Sequence, residues 1–208
     1  MRLNESLTNE LKQTTTLIEE INWDAPEVYA DWLSQTYHFV RHTTRLLALA
    51  AGVASLDQQS YHQQFLYHLK EEYGHEKIAL ADLKALGLPL RAERPQTQRF
   101  YHTTRTLIQS HGPVGLFGYM HFLEALAVHM GPAAYEKVRR TFGSKCGRFL
   151  AVHGEEDIKH VEETLKTLAD CAEEDMDTIL DGLRLAGEQY RSLLAAIIQD
   201  YRPKLQAA

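Results

Sequence analysis

The sequence predicts an all-α fold, a compact bundle of seven to eight helices forming one domain over residues 1–208, and three observations point there. Apolar residues recur with helical period along nearly the whole chain. No stretch alternates apolar and polar residues as a strand would. The six prolines and twelve glycines fall mostly where the helical pattern breaks, as punctuation between long helices. A chain of 208 residues that is 44% apolar is also long enough to bury a sizeable core.

The first amphipathic helix is expected from Asn4 to Ile21, with Leu7, Leu11, Leu17 and Ile21 as its inward stripe. Asp24 reads as the N-cap of a second, running from Pro26 to Ala51, where Gly52 ends it. Ser55-Leu56-Asp57-Gln58 has the form of a capping box and opens a third helix that should reach Leu86 and stop at Gly87, with Pro89 beyond. Leu88 to Gln96 is a loop. A fourth helix follows from Thr97 to Ser110, before His111-Gly112-Pro113, and a fifth from Val114 to Met130. Gly131-Pro132 punctuates again, with a short helix to Phe142. After a Gly143-Ser144 joint come helices from Lys145 to Ala169 and from Glu173 to Tyr201. No internal repeat, low-complexity tract or linker is evident.

Composition removes several functional classes. No apolar run approaches the roughly 18 residues of a membrane span, and Met1 to Glu20 is polar, so a cytoplasmic protein without a membrane partner is expected. Cys146 and Cys171 form neither a disulfide framework nor a Cys-x-x-Cys dithiol. A net charge of −6, with only short basic pairs such as Arg139-Arg140, argues against nucleic acid as partner.

Eleven histidines is a high count, and some are grouped with carboxylates. His153, Asp157 and His160 stand at i, i+4 and i+7, which on one helix lie within an arc of about 60° and can face one point. Glu72 and His75 supply a second acid-x-x-His pair on the third helix. Glu124 is a lone carboxylate in the apolar run Gly118 to Ala127, costly to bury without a cation or proton. Helical proteins build two-metal carboxylate sites from such pairs plus a bridging carboxylate. The competing readings are a solvated face for Asp157, a helix start at Gly154 that would turn His153 away, and a protonated or Arg-paired core acid for Glu124. His62, His68, His102, His111 and His129 read as surface or otherwise satisfied histidines. His121, one turn before Glu124, reads as a supporting partner or substitute ligand.

Glu72-x-x-His75, the isolated Glu124, and His153-x3-Asp157-x2-His160, in this order on successive helices, resemble the haem-oxygenase-like non-haem di-iron oxidases and oxygenases, also called iron-containing redox enzymes, whose fold is shared with TenA-like proteins. The resemblance spans the second helix to Leu168. It implies two iron ions, or manganese, held by Glu72, His75, Glu124, His153, Asp157 and His160, with Glu124 the carboxylate able to bridge and the residue most directly tied to catalysis. Some members carry the first acid further from its histidine, a position held here by His68, and Glu71 stands beside Glu72 as an alternative acid.

The activity so implied is dioxygen-dependent oxidation of a small organic acid, amino acid or amine, without haem, compatible with an external reductant and a homodimer. Two adjacent ferrous ions can each give an electron to dioxygen, and imidazole and carboxylate ligands suit iron. Tyr37, Phe39 and Val40 with Phe117, Tyr119, Met120 and Phe122 are expected as apolar walls, and His38, Arg41, His42 and Arg45 as polar groups near a substrate. Three alternatives remain open: a haem oxygenase using His38 or His42 as axial ligand, a TenA-like hydrolase needing an activated Cys146 or Cys171, and a metal-binding module without catalysis.

Overall fold

A computed structural model describes residues 2–169 and 171–205, and all of its regular structure is helical. The helices are α1 (Arg2–Glu20), α2 (Pro26–Val40), α3 (Thr43–Val53), α4 (Gln59–Glu72), α5 (Glu76–Leu86), α6 (Pro95–His111), α7 (Phe117–Phe142), α8 (Arg148–Leu168) and α9 (Glu173–Leu205). Short 3₁₀ turns at Leu56–Gln58, Pro113–Leu116 and Ser144–Cys146 precede α4, α7 and α8. Because α2–α3 and α4–α5 are each one expected helix broken at a corner, the described residues make seven helical rods.

Three expected boundaries are corrected. The second helix does not run unbroken to Ala51: it breaks at Arg41-His42, where His42 stacks flat on Tyr101 at 3.7 Å, ahead of the weak helix formers Thr43 and Thr44. The third does not run unbroken to Leu86. Gly74 has φ +97°, a conformation side-chain-bearing residues rarely adopt, and it turns the chain between Glu72 and His75. Gly131-Pro132, by contrast, does not divide a helix, for α7 passes straight through Pro132. An interior proline costs about 3 kcal/mol. Packing explains its presence: a Cβ on Gly131 would lie 3.4 Å from Gly154 Cα of α8, and one on Gly154 would lie 3.6 Å from the Pro132 ring. The two helices cross closely there. A smaller difference is that Ala25, not Asp24, is the N-cap of α2. The expected stripe of α1 does face inward, Ile21 in the core and Leu7, Leu11 and Leu17 packed against it, joined by the more deeply buried Leu3, Glu10, Thr14 and Ile18. The capping box holds: Gln58 Oε1 accepts the Ser55 backbone N–H at 3.2 Å.

Helix α7 lies at the centre, packed along α8 and against α9 and α1, while α9 also covers α1 and α6. At the α7–α9 crossing Gly118 sits so close that a Cβ would come within 2.2 Å of Ile179 O and 2.3 Å of Leu183 N. Helices α2 and α5 pair on one flank, and α4 packs chiefly on α3. An aromatic core ties these layers together, with Phe39 edge-on to Phe100 (5.2 Å), Phe100 against Tyr119 (4.9 Å), and Trp32 Nε1–H donating to Tyr190 Oη at 3.1 Å. Among the described residues no helix is long and apolar enough to cross a membrane.

Candidate metal centre

The i, i+4, i+7 pattern on α8 does what its spacing requires. Helix α8 is continuous through Gly154, so His153, Asp157 and His160 all face α4 and α7, with Asp157 and His160 buried and His153 half-buried. The N-terminus of α8 has no capping side chain of its own. Asp82 of α5, fully buried, fills that role: Phe149 N–H donates to its Oδ2 at 2.8 Å and Arg148 Nε to Oδ1 at 3.2 Å. The register of all three α8 candidates is therefore fixed from α5.

The donors gather in two groups that share one residue. Ligand atoms of Glu72, His75 and His153 lie within 4.8 Å of one another, and so do those of His68, Glu72 and His160. His75 Nδ1 is 3.2 Å from His153 Nε2 and 3.5 Å from Glu72 Oε2. His153 Nδ1–H donates to Phe149 O at 2.9 Å, which fixes the tautomer and leaves the Nε2 lone pair facing the cluster. In the second group His68 Nε2 is 3.7 Å from Glu72 Oε1 and 3.2 Å from Glu124 Oε1. His160 stands between two acids, with Nδ1 3.1 Å from Asp157 Oδ1 and Nε2 3.2 Å from Glu71 Oε2.

The structure thus brings Glu72, His75, Glu124, His153, Asp157 and His160 to one place, and two points differ from the sequence reading. His68, expected at the surface, is buried and belongs to the cluster. Its signal was present: it lies one helical turn before Glu72, on the same face of α4. The residue common to both donor groups is Glu72, whereas Glu124, expected to bridge, approaches the group containing His68 and His160. His121 is buried elsewhere on α7 with both ring nitrogens unpartnered, and takes no part in either group. His102, His111 and His129 are exposed as expected.

Electrostatics show what the cluster lacks. Both Glu124 oxygens are buried, with His68 Nε2 3.2 Å from Oε1 and no lysine or arginine paired with them among the described residues. Burial first, and then the charges of Asp157 and Glu72, push its pKa well above the ordinary carboxylate value. Burial likewise raises Asp157, partly offset by His160. Burial also works against the charged form of Glu72, but its hydrogen bond with His75 and the nearby His153 and His68 outweigh it and hold the pKa at about 2. His160, despite burial, is lifted to about 9 by Asp157 and Glu124, and burial lowers His68 to about 4. A site with Glu72, Glu124 and Asp157 crowded this way fits a cation better than it fits the protons that must otherwise fill it.

A cavity of about 130 Å³ adjoins the cluster. His68, Glu72, Glu124, His153 and Asp157 line one end, and Trp32, Phe39, Val40, Met120, Leu126 and Leu150 are among its apolar walls. Tyr119 also lines it, but Tyr37, Phe117 and Phe122 do not. The expected substrate anchors are absent from the lining too. His38 Nε2 bonds Arg91 O at 2.8 Å, Arg41 lies over the Tyr37 ring, and His42 is stacked on Tyr101. Neither histidine weighed as a haem ligand lines the cavity. Cys146 and Cys171 also lie outside it, their thiol pKa values raised by burial, which is the wrong direction for a nucleophile.

The sequence profile of a family described as iron-containing redox enzyme matches residues 30–190, a span that holds every donor named above. Among solved structures, a domain of unknown function with a haem oxygenase-like fold from Shewanella denitrificans is 21% identical, with a TM-score of 0.83 over 100% of this chain and 93% of the other. A CADD-like protein of unknown function from Nostoc punctiforme is 17% identical, with a TM-score of 0.73 over 96% and 98%. A TenA homolog from Pseudomonas syringae is 11% identical, with a TM-score of 0.76 over 95% and 93%. At such identities the likeness establishes the haem oxygenase-like fold and nothing about substrate. Curated proteins give no significant match.

Proposed function

This chain belongs to the iron-containing redox enzyme family, and from that premise we propose that it is a dioxygen-dependent oxidoreductase holding two iron ions, or manganese, between α4, α7 and α8. The observation that carries the reading is the sharing of Glu72 between two donor groups, one buried and one half-buried. A carboxylate has two oxygens and can serve two ions at once, so Glu72 would hold both. His75 and His153 complete one position. His68 and His160 complete the other, with Glu124 and Asp157 as the adjoining carboxylates. When bound, two ferrous ions supply electrons to dioxygen.

The chain's own groups prepare the site. Phe149 O orients His153, and Asp82 anchors the start of the helix that carries three of the donors. Burial favours the protonated form of Glu124 while no cation is present, with His68 Nε2 beside its Oε1. The apolar walls exclude water from the space beside the cluster, where a small organic molecule would be oxidised.

Elemental analysis after anaerobic loading with ferrous iron tests the proposal. Up to two ions per chain are expected, with uptake sharply reduced in the His153→Ala/His160→Ala double variant. Trace uptake, or the same uptake in the double variant, refutes it. Oxygen consumption by the loaded protein separates an enzyme from a module that only holds metal.

A further inference from the structure

The cavity beside the cluster carries more than a wall against water. Its lining contains three carboxylates, Glu72, Glu124 and Asp157, and among the described residues no lysine or arginine. Of its four lining hydroxyls, Thr36, Thr43, Tyr119 and Tyr190, two are unusual. Thr36 Oγ1 and Tyr119 Oη are buried, on residues only 1% and 2% exposed, and neither has a hydrogen-bond partner among the described residues. They come from different helices, α2 and α7. Tyr119 is close enough to Glu72 to feel its charge, which adds to burial in raising the phenol pKa, so this hydroxyl stays protonated beside the cluster.

Buried hydroxyls without partners are costly, and native structures leave few of them. Two in one cavity, at the apolar side of a donor cluster, are what a site looks like before the molecule that pairs with them arrives. The size of the space limits that molecule. A cavity of about 150 Å³ lined by aliphatic and aromatic side chains holds benzene, and this one is about 130 Å³. A charged carboxylate on the ligand would meet three carboxylates and no side-chain cation. An apolar body with one hydroxyl or carbonyl could pair with these two hydroxyls and bring no charge beside the carboxylates.

We propose that the cavity takes an uncharged, single-ring-sized apolar molecule bearing one hydroxyl or carbonyl group, paired with Tyr119 and Thr36. That this molecule is the oxidised substrate rests on the two-iron reading above. The binding itself does not. The inference departs from the acid, amino acid or amine expected from sequence, because the residues meant to anchor such groups, His38 and Arg41, lie outside the lining.

Calorimetric titration of the ferrous-loaded protein without oxygen, and of the metal-free protein, with benzyl alcohol, toluene and benzoate tests this. Benzyl alcohol should bind about tenfold more tightly than toluene, the range of one or two recovered hydrogen bonds. In the metal-free protein benzoate should bind at least about tenfold more weakly than the alcohol, for want of a side-chain cation to desolvate it against. The Tyr119→Phe/Thr36→Val double variant should lose the preference for alcohol over toluene and keep its toluene affinity. Its unliganded melting temperature should stay level or rise, since it removes unpartnered groups; a fall would mark the hydroxyls as structural and overturn the proposal. Benzoate binding to the metal-free protein as tightly as the alcohol, or an alcohol preference that survives in the double variant, would also overturn it. Iron content measured on the same samples keeps the two readings apart. Iron bound without an alcohol preference refutes the ligand class alone, and an alcohol preference in a chain that takes up no iron supports the ligand class while refuting the metal centre.

Discussion

Replacing Asp82 should weaken both the fold and the metal centre, through a helix end about which α8's own sequence says nothing. Asp82 is fully buried and accepts the Phe149 N–H, one of the donors that a helix N-terminus leaves without an internal partner. In Asp82→Ala that N–H stays buried and unpaired, which costs about 1–3 kcal/mol. The lost contact with Arg148, whose side chain is 51% exposed, adds at most about 1 kcal/mol. The total is roughly 1–4 kcal/mol, a large share of the stability of an ordinary domain. Asp82→Asn keeps an oxygen for Phe149. It loses a favourable charge at the helix start, but that charge is poorly compensated, since burial raises the Asp82 pKa in spite of its two donors. The Asn variant should therefore lose about 1 kcal/mol or less. Urea unfolding of the metal-free chains measures both, and metal titration should show weaker uptake in the Ala variant because α8 is less firmly registered. A cost below about 1 kcal/mol for Ala, or equal costs for Ala and Asn, would refute the capping argument.

Three further outcomes are expected. Gly118→Ala should destabilise by at least about 3 kcal/mol, since its Cβ would overlap backbone atoms of α9; Gly154→Ala, whose nearest neighbour would be a proline ring at 3.6 Å, should be neutral or stabilise by up to about 1 kcal/mol, and thermal or urea unfolding of the pair checks the contrast. Metal uptake near neutral pH should release protons, because the folded pKa values of Glu124 and His160 are both raised, so affinity should fall as the pH falls; calorimetry in buffers of different ionisation enthalpy detects the release, and none would contradict the reasoning. His121 is held neutral by burial, with a folded pKa of about 4 against an unfolded 6.5, so it favours folding above pH 6.5 and loses that contribution as the pH falls to 4. His121→Leu should remove up to roughly 3 kcal/mol of the stability lost over that interval, as read from urea midpoints at the two pH values, and an unchanged loss would contradict it.

The helices were legible because their apolar periodicity is strong, and the α8 donors because three residues at i, i+4 and i+7 have one geometric outcome on a helix. The interruption at Gly74 was less so. An isolated glycine inside a periodic pattern is a tolerated cost in one context and a turn in another, and the positive φ that decides between them depends on what the corner meets. Here it meets α8: the turn carries His75 back to within 3.2 Å of His153, so the break belongs to the donor cluster's geometry. Pro132 errs the other way. Its local cost is overridden by a close helix crossing with Gly154, a residue 22 positions further along the chain.

His68 shows where pattern reading stops. Its surroundings on α4, with Gln63, Gln64, Tyr67 and Lys70, read as a mixed face, yet it shares a line with Glu72 four residues later, and that line points to the centre of the bundle. Helix α4 has little apolar face of its own to bury: Leu66 and Tyr67 are exposed, and its buried residues are Tyr61, Phe65, His68 and Glu72. Two of those four are candidate ligands. An ordinary helix is held by its hydrophobic stripe, which is worth about 25 cal/mol for each Å² of apolar surface removed from water. In α4 half of that stripe is replaced by groups whose attraction to the rest of the protein depends on what lies between them and α8. Sequence periodicity, which scores apolar residues, undervalues such a helix because the inward face is written in histidine and glutamate. The same composition means that the packing of α4 against α8 should be the part of the fold most strengthened by a cation, in proportion to how far its concentration exceeds its dissociation constant.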